Sequence, residues 1–215
     1  MIIAIDGACK GNGKPDCIAS GSAFFKMSTG QCGAVTTIDN NSTNQRGELH
    51  GLLLGLTIGI GLSKQEEAFF VTDSEYIYNT ITKTWYDTWI KRGWKTASGD
   101  DVKNQDLWEL IAKTLAQYDM DNFAIFHVKG HVIPFGAATG NKLFRQDKTC
   151  KVLYHNVKQK YVIEGSKNIE HALEVFKKNH GYIPPMDTFN EMILCNTVAD
   201  IAASTALVEH LERSE

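Results

Sequence analysis

No apolar run in this chain approaches the roughly 20 residues that a membrane-spanning helix needs. The opening residues, MIIAIDGACKG, lack the basic n-region of a secretion signal and meet an acid at position 6. The five cysteines (9, 17, 32, 150 and 195) form no C-x-x-C pair and are odd in number. They are expected to be reduced thiols, and the chain to be cytoplasmic. There is no internal repeat and no low-complexity tract. A strong positive charge is also missing: the formal net charge is −3. Its distribution is uneven, since residues 132–195 hold nine Lys/Arg against six Asp/Glu. Bound divalent cations would offset several of the acids elsewhere, so net charge alone does not exclude a polyanionic partner.

What is present is ordinary globular composition, 43% hydrophobic and 22% charged over 215 residues. Residues 1–6 read as a buried strand ending in Asp6, followed by a glycine-rich turn. Residues 20–27 and 31–38 read as two strands joined at Thr29-Gly30. From Thr43 the period becomes helical, with Leu49, Leu52, Leu53, Leu56 and Ile60 on one face. Glycines at 51, 55 and 59 each lower intrinsic helicity by about 1 kcal/mol relative to Ala. Their four-residue spacing predicts a helix packed closely on a neighbour.

Residues 68–72 read as a strand ending at Asp73, with a helix from Ser74. Residues 104–118 read as an amphipathic helix with Leu107, Leu110, Ile111 and Leu115 inward, and 122–128 as the last core strand. Further on, 151–163 suggest a strand pair, 168–179 a helix stopped by Gly181 and Pro184-Pro185, and 188–212 a final helix. Three consecutive strands followed by strands reached through helices imply a mixed α/β sheet flanked by helices.

Four acids sit where acids are costly. Asp6 and Asp73 each close an apolar strand, at the edge where open α/β sheets place ligand sites. Glu48 lies early in the leucine-rich helix, and Asp200 lies between Val198-Ala199 and Ile201-Ala202. A buried carboxylate without a partner is strongly disfavoured, yet no base lies within three positions of Asp6, Asp73 or Asp200. Metal as the counter-charge resolves this, and hard oxygen ligands suit Mg²⁺ or Mn²⁺.

These residues fall in seven ordered segments: I-D-G-A-C-K-G-N at 5–12, T-N-Q-R-G-E-L at 43–49, V-T-D-S-E-Y at 71–76, the Trp89–Thr96 stretch, V-K-N-Q-D-L-W at 102–108, V-K-G-H at 128–131 and N-T-V-A-D-I-A-A at 196–203. Together they resemble type 1 ribonuclease H. The resemblance implies one domain with a five-stranded mixed sheet, its core at 1–131 and 196–215, and an insertion at 132–195 before the last helix. It implies endonucleolytic hydrolysis of the RNA strand of RNA–DNA hybrids, leaving 5′-phosphate and 3′-hydroxyl ends. Two Mg²⁺ ions per site, or Mn²⁺ in their place, would rest on Asp6, Glu48, Asp73 and Asp200. His131 matches the family's loop histidine, which assists water activation or product departure. Cys9, Asn12, Asn44 and Gln45 match residues that touch the hybrid, Thr43 and Asn104 a pocket for a DNA phosphate, and Lys91, Arg92, Trp94 and Lys95 a basic protrusion.

Other classes share such a superfold, among them a non-catalytic hybrid or double-stranded RNA binder and a junction resolvase. Nothing in the sequence specifies a protein partner, and a monomer without membrane attachment is expected. Two features depart from the family pattern. Glu75 places a carboxylate just after Asp73-Ser74. The insertion reads as a solvated surface excursion, a substrate-facing basic lobe (Arg145, Lys148, Lys151, Lys158, Lys160) or a docking site.

Overall fold

The computed structural model describes residues 1–40, 42–121, 123–133, 150–164 and 166–213. Three strands, β1 (Ile2–Lys10), β2 (Ile18–Lys26) and β3 (Cys32–Asn40), form an antiparallel meander. The turn between β2 and β3 is closed by Gly30 N–H on the Met27 carbonyl at 3.0 Å, with Gly30 at φ +85°. Glycine, with no Cβ, takes up such a positive φ without steric cost. Helix α1 (Asn44–Leu62) then crosses the sheet to β4 (Phe69–Thr72), which runs parallel to β1. Helices α2 (Glu75–Thr82), α3 (Trp85–Lys91) and α4 (Gln105–Leu115) lead to β5 (Ala124–His127), parallel to β4. The sheet order is β3-β2-β1-β4-β5. This is the mixed five-stranded sheet that the alternation of patterns predicts.

The two faces of the sheet are sorted by the period of two along β1. Ile3 and Ile5 join Leu49, Leu52 and Leu56 of α1 in one buried cluster, while Ala4 joins residues of the final helix in another. Helix α1 lies close because of its glycines. A Cβ on Gly51 would come within 2.6 Å of the Asp6 carbonyl and 2.8 Å of the Ser22 carbonyl, and one on Gly47 within 2.6 Å of the Ser20 carbonyl. The close packing expected from glycines 51, 55 and 59 is therefore present, and Gly47 extends the series by one turn.

The opposite face is covered by α5 (Cys150–Glu164), α6 (Ser166–His180) and α7 (Met186–Glu212). Ser20 and Ser22 satisfy their buried hydroxyls by donating to the Ala203 and Ala199 carbonyls of α7, both at 2.6 Å. By length and composition α7 is apolar enough to cross a membrane, and most of it is buried within the protein.

Several expectations need correction. β1 does not end at Asp6; it continues to Lys10 against β2, because only the parallel partner β4 stops there. Residues 151–163 are helical, not a strand pair. Leu153, Val157, Ala172 and Phe176 of α5 and α6 are buried with Val71 and Val198, so this part of 132–195 is core and not a solvated excursion. Arg145 and Lys148 lie outside the described residues. In α4, Leu110 is 48% exposed, and Trp108 is buried beside Leu107, Ile111 and Leu115. The cysteines are not all reduced, because Cys9 and Cys17 form a disulfide.

Candidate active site

Parallel pairing of β1 with β4 ends at Ile5 and Thr72. Asp6 and Asp73 therefore follow at neighbouring strand positions, where the two chains diverge. Asp6 is 8% exposed, and its Oδ1 accepts from the Gly7 N–H at 2.6 Å. Burial raises its pKa well above the ordinary carboxylate range, and the charges of Asp73, Asp200 and Glu48 raise it further, against the lowering effect of the Gly7 N–H. Mutual repulsion of that kind requires the four acids to share one region.

Glu48 enters from the first turns of α1. Thr43 caps that helix, its Oγ1 accepting from Arg46 N–H at 3.3 Å. Both Glu48 oxygens are held: Oε1 accepts from Asn44 Nδ2 at 2.9 Å, and Oε2 accepts from Ser74 Oγ. Burial raises the Glu48 pKa, partly offset by the Ser74 hydroxyl, and the Asp73 charge also raises it. Asp200 projects from α7, where burial and then Asp73 raise its pKa against the lowering influence of His131. Asn196, one turn earlier on α7, donates Nδ2 to Asp73 Oδ2 at 3.4 Å.

His131 sits in the loop after β5 with φ +54° and a side chain 80% exposed; its Nδ1 is 3.4 Å from Asp200 Oδ2. Gly130 is pressed against Asp73, since a Cβ there would collide with Oδ2. The sequence-expected histidine thus meets the sequence-expected acid.

The other expected residues divide into two groups. Asn12, Thr43, Asn44 and Gln45 gather at the start of α1, with Asn12 Oδ1 accepting from Asn44 N–H at 3.3 Å. Arg46 ties this corner to the start of α4: it donates to Asp39 at 2.8 Å and, through two nitrogens, to Asp106 at 2.9 and 2.8 Å. That clamp joins the first turns of α1 and α4; the α4 N-cap, Asn104, has φ +58° and no side-chain cap bond. Cys9, near the end of β1, has its sulfur paired with that of Cys17.

Farther out, Lys91 and Arg92 are exposed at the end of α3. Trp94 packs partly on the core, and Lys95 pairs with Asp101 at 2.6 Å. Sequence reasoning missed Ser74 and Asn196 as supports. Ser74 is the N-cap of α2, and Asn196 lies four residues before Asp200, on the same helix face.

Among the described residues, no lysine or arginine pairs with any of the four acids. Asn196 Oδ1 is buried without a partner. An all-oxygen donor set with an uncompensated charge and an orphaned acceptor fits a hard divalent cation. As they stand, no three acidic, histidine or cysteine groups among the described residues are spaced to enclose an ion by themselves.

The sheet order, with carboxylates from β1, β4, α1 and α7 at one end, defines a ribonuclease H-like α/β domain. A family model described as RNase H matches residues 1–150, and the chain belongs to this family of nucleases. A protein of Pseudomonas savastanoi pv. phaseolicola named Ribonuclease H is 38% identical over 127 residues, covering 59% of this chain and 78% of that protein. Ribonuclease H of Thermus thermophilus is 38% identical over 130 residues, covering 59% and 70%. Among solved structures, a foamy viral protease-reverse transcriptase in complex with an RNA/DNA hybrid is similar in fold, with a TM-score of 0.51 at 13% identity over 66% of this chain and 18% of that one.

Proposed function

We propose that this protein is an endonuclease that hydrolyses the RNA strand of RNA–DNA hybrids, with Asp6, Glu48, Asp73 and Asp200 holding two divalent ions, Mg²⁺ or in its place Mn²⁺. The observation that carries this reading is the convergence of four carboxylates with no lysine or arginine partner among the described residues. Family membership and the relatives named Ribonuclease H support it. Ions bound there would activate a water for in-line attack and stabilise the departing 3′-oxygen, leaving a 5′-phosphate and a 3′-hydroxyl.

The chain's own residues supply orientation. Gly7 N–H, Asn44, Ser74 and Asn196 each fix one carboxylate oxygen. His131, exposed and beside Asp200, is placed to move a proton to or from solvent at its imidazole. At the start of α1, Asn12, Asn44 and Gln45 would read 2′-hydroxyls, which separate RNA from DNA. Thr43 and Asn104 flank two helix N-termini, where N–H groups favour a phosphate. Lys91 and Arg92 are free to approach the DNA backbone, whereas Lys95 must first leave Asp101.

The test is cleavage of an end-labelled hybrid compared with DNA duplex and RNA duplex, in Mg²⁺ and in Mn²⁺. Cleavage of the RNA strand of the hybrid alone supports the reading. Cutting of a DNA junction, or hybrid binding without turnover, opposes it.

A further inference from the structure

β5 is an edge strand, and the helix that seals its edge comes from the segment that departs from the family pattern. His180, the last residue of α6, places Nε2 at 3.2 Å from His127 N and 3.0 Å from His127 O, with Nδ1 at 3.3 Å from the Tyr78 hydroxyl. Burial lowers the His180 pKa, against the raising effect of its bond to the His127 main chain. Its neighbour Asn179 reaches further in, with Nδ2 2.7 Å from His127 Nδ1. His127 is 5% exposed, and its Nε2 lies 3.1 Å from the main-chain carbonyl oxygen of Asp73.

These partners fix the His127 ring. A carbonyl oxygen only accepts, so Nε2 carries the proton. An amide nitrogen only donates, so Nδ1 presents its lone pair. Turning the Asn179 amide over would demand a proton on both ring nitrogens, a buried imidazolium that costs more than the neutral form. The contact to Asp73 thus depends on a side chain of α6.

We propose that Asn179 and His127 form a positioning relay through which α6 sets the peptide that carries Asp73. The proposal rests on the reading of Asp73 as a catalytic carboxylate. The turn at Asp73 is gripped at three successive residues. Val128 N–H donates to the Thr72 carbonyl at 2.9 Å, His127 donates to the Asp73 carbonyl, and Ser74 N–H donates to Thr72 Oγ1 at 3.1 Å. Removing the middle grip frees the peptide plane from which the Asp73 carboxylate projects. Hydrogen-bond partners of metal ligands of this kind are worth about 10–100-fold in metal affinity or activity. His127 and Asn179 do not touch the substrate; they are positioning residues.

The experiment uses the full chain and three readouts. Nitrogen-15 NMR of the histidine rings, recorded without metal, should show His127 neutral with its proton on Nε2, and Asn179→Leu should give a mixture of tautomers. With hybrid substrate, His127→Phe and Asn179→Leu should lower kcat and raise the Mg²⁺ concentration for half activity by about 10–100-fold, with KM for the hybrid little changed. His127→Gln, whose amide nitrogen can donate to the same carbonyl, should recover most of that loss. Leu153→Ala, which removes buried volume in α5 far along the chain from this contact, should lower stability and leave the Mg²⁺ dependence alone. An Nδ1–H ring or an imidazolium at His127 in the wild type overturns the proposal. So does a His127→Gln variant no better than His127→Phe, or a Leu153→Ala variant with the same Mg²⁺ shift. A wild-type chain that cleaves no hybrid overturns the functional reading instead, and the ring spectrum still decides whether the relay exists.

Discussion

Asn196 donates its side-chain amide to the Asp73 carboxylate at 3.4 Å, joining α7 to the end of β4. The same side chain is buried, with Oδ1 unpartnered. Asn196→Ala is expected to lower kcat by about 10–100-fold while KM for the hybrid holds, because a support of a metal ligand is lost and no substrate contact is. Steady-state kinetics across a Mg²⁺ series checks this. Unchanged kcat at every Mg²⁺ concentration would show that the contact is idle.

Ser74 serves two structures at once: it caps α2 and donates to Glu48. Ser74→Ala should cost about 1 kcal/mol from the cap alone. It should also let the Glu48 pKa rise further, since the Ser74 hydroxyl is the larger of the two hydrogen bonds that lower it. The acid limb of the kcat–pH profile should therefore move to higher pH, a shift that cap loss by itself would not produce.

Stability should depend on pH in an unusual direction. Asp6, Glu48 and Asp200 have pKa values raised by folding. The folded state then holds more protons than the unfolded chain between the ordinary carboxylate pKa of about 4 and the raised values. Their contribution to stability is full below that window and is lost as pH rises through the folded pKa values. Metal-free protein should have a Tm that falls across this range, and Mg²⁺ should restore it at neutral pH by binding the ionised form. Thermal melts with and without Mg²⁺ test both halves.

Glycine to alanine inside an exposed helix normally stabilises by about 1 kcal/mol. At Gly51 the sign should reverse, because a Cβ there meets backbone oxygens of β1 and β2 at 2.6 and 2.8 Å. Forced separation of packed elements costs about 1–3 kcal/mol. The denaturation midpoint of Gly51→Ala should drop, and because Asp6 lies on the displaced strand, activity should drop with it.

The sheet and three of its four acids were legible because their signals are local: apolar strands that end in Asp, a helix whose glycines recur every four residues, a last strand before V-K-G-H. Asp200 needed the resemblance, since only tertiary packing returns α7 to the sheet end. The limit of β1 was misread at Asp6 because a strand stays extended as long as any partner remains, and β2 outlasts β4. Residues 151–163 were misread because their β-branched and aromatic content suits a strand, while burial of Leu153 and Val157 against α7 favours a helix. Charge reversal at Lys151 and Lys158 tests the basic-lobe idea without opening that buried interior. Cys9 paired with Cys17 was invisible to spacing arguments, because nothing in C-x₇-C marks a disulfide.

The most direct test of the central claim is single-turnover cleavage of an RNA–DNA hybrid by Asp73→Asn, with hybrid binding measured on the same protein in Mg²⁺. Cleavage should vanish while binding persists, because the substitution removes a ligand charge and leaves the α1 and α4 N-terminal corner intact. Turnover near that of the wild type would contradict the assignment of the four carboxylates as the catalytic site.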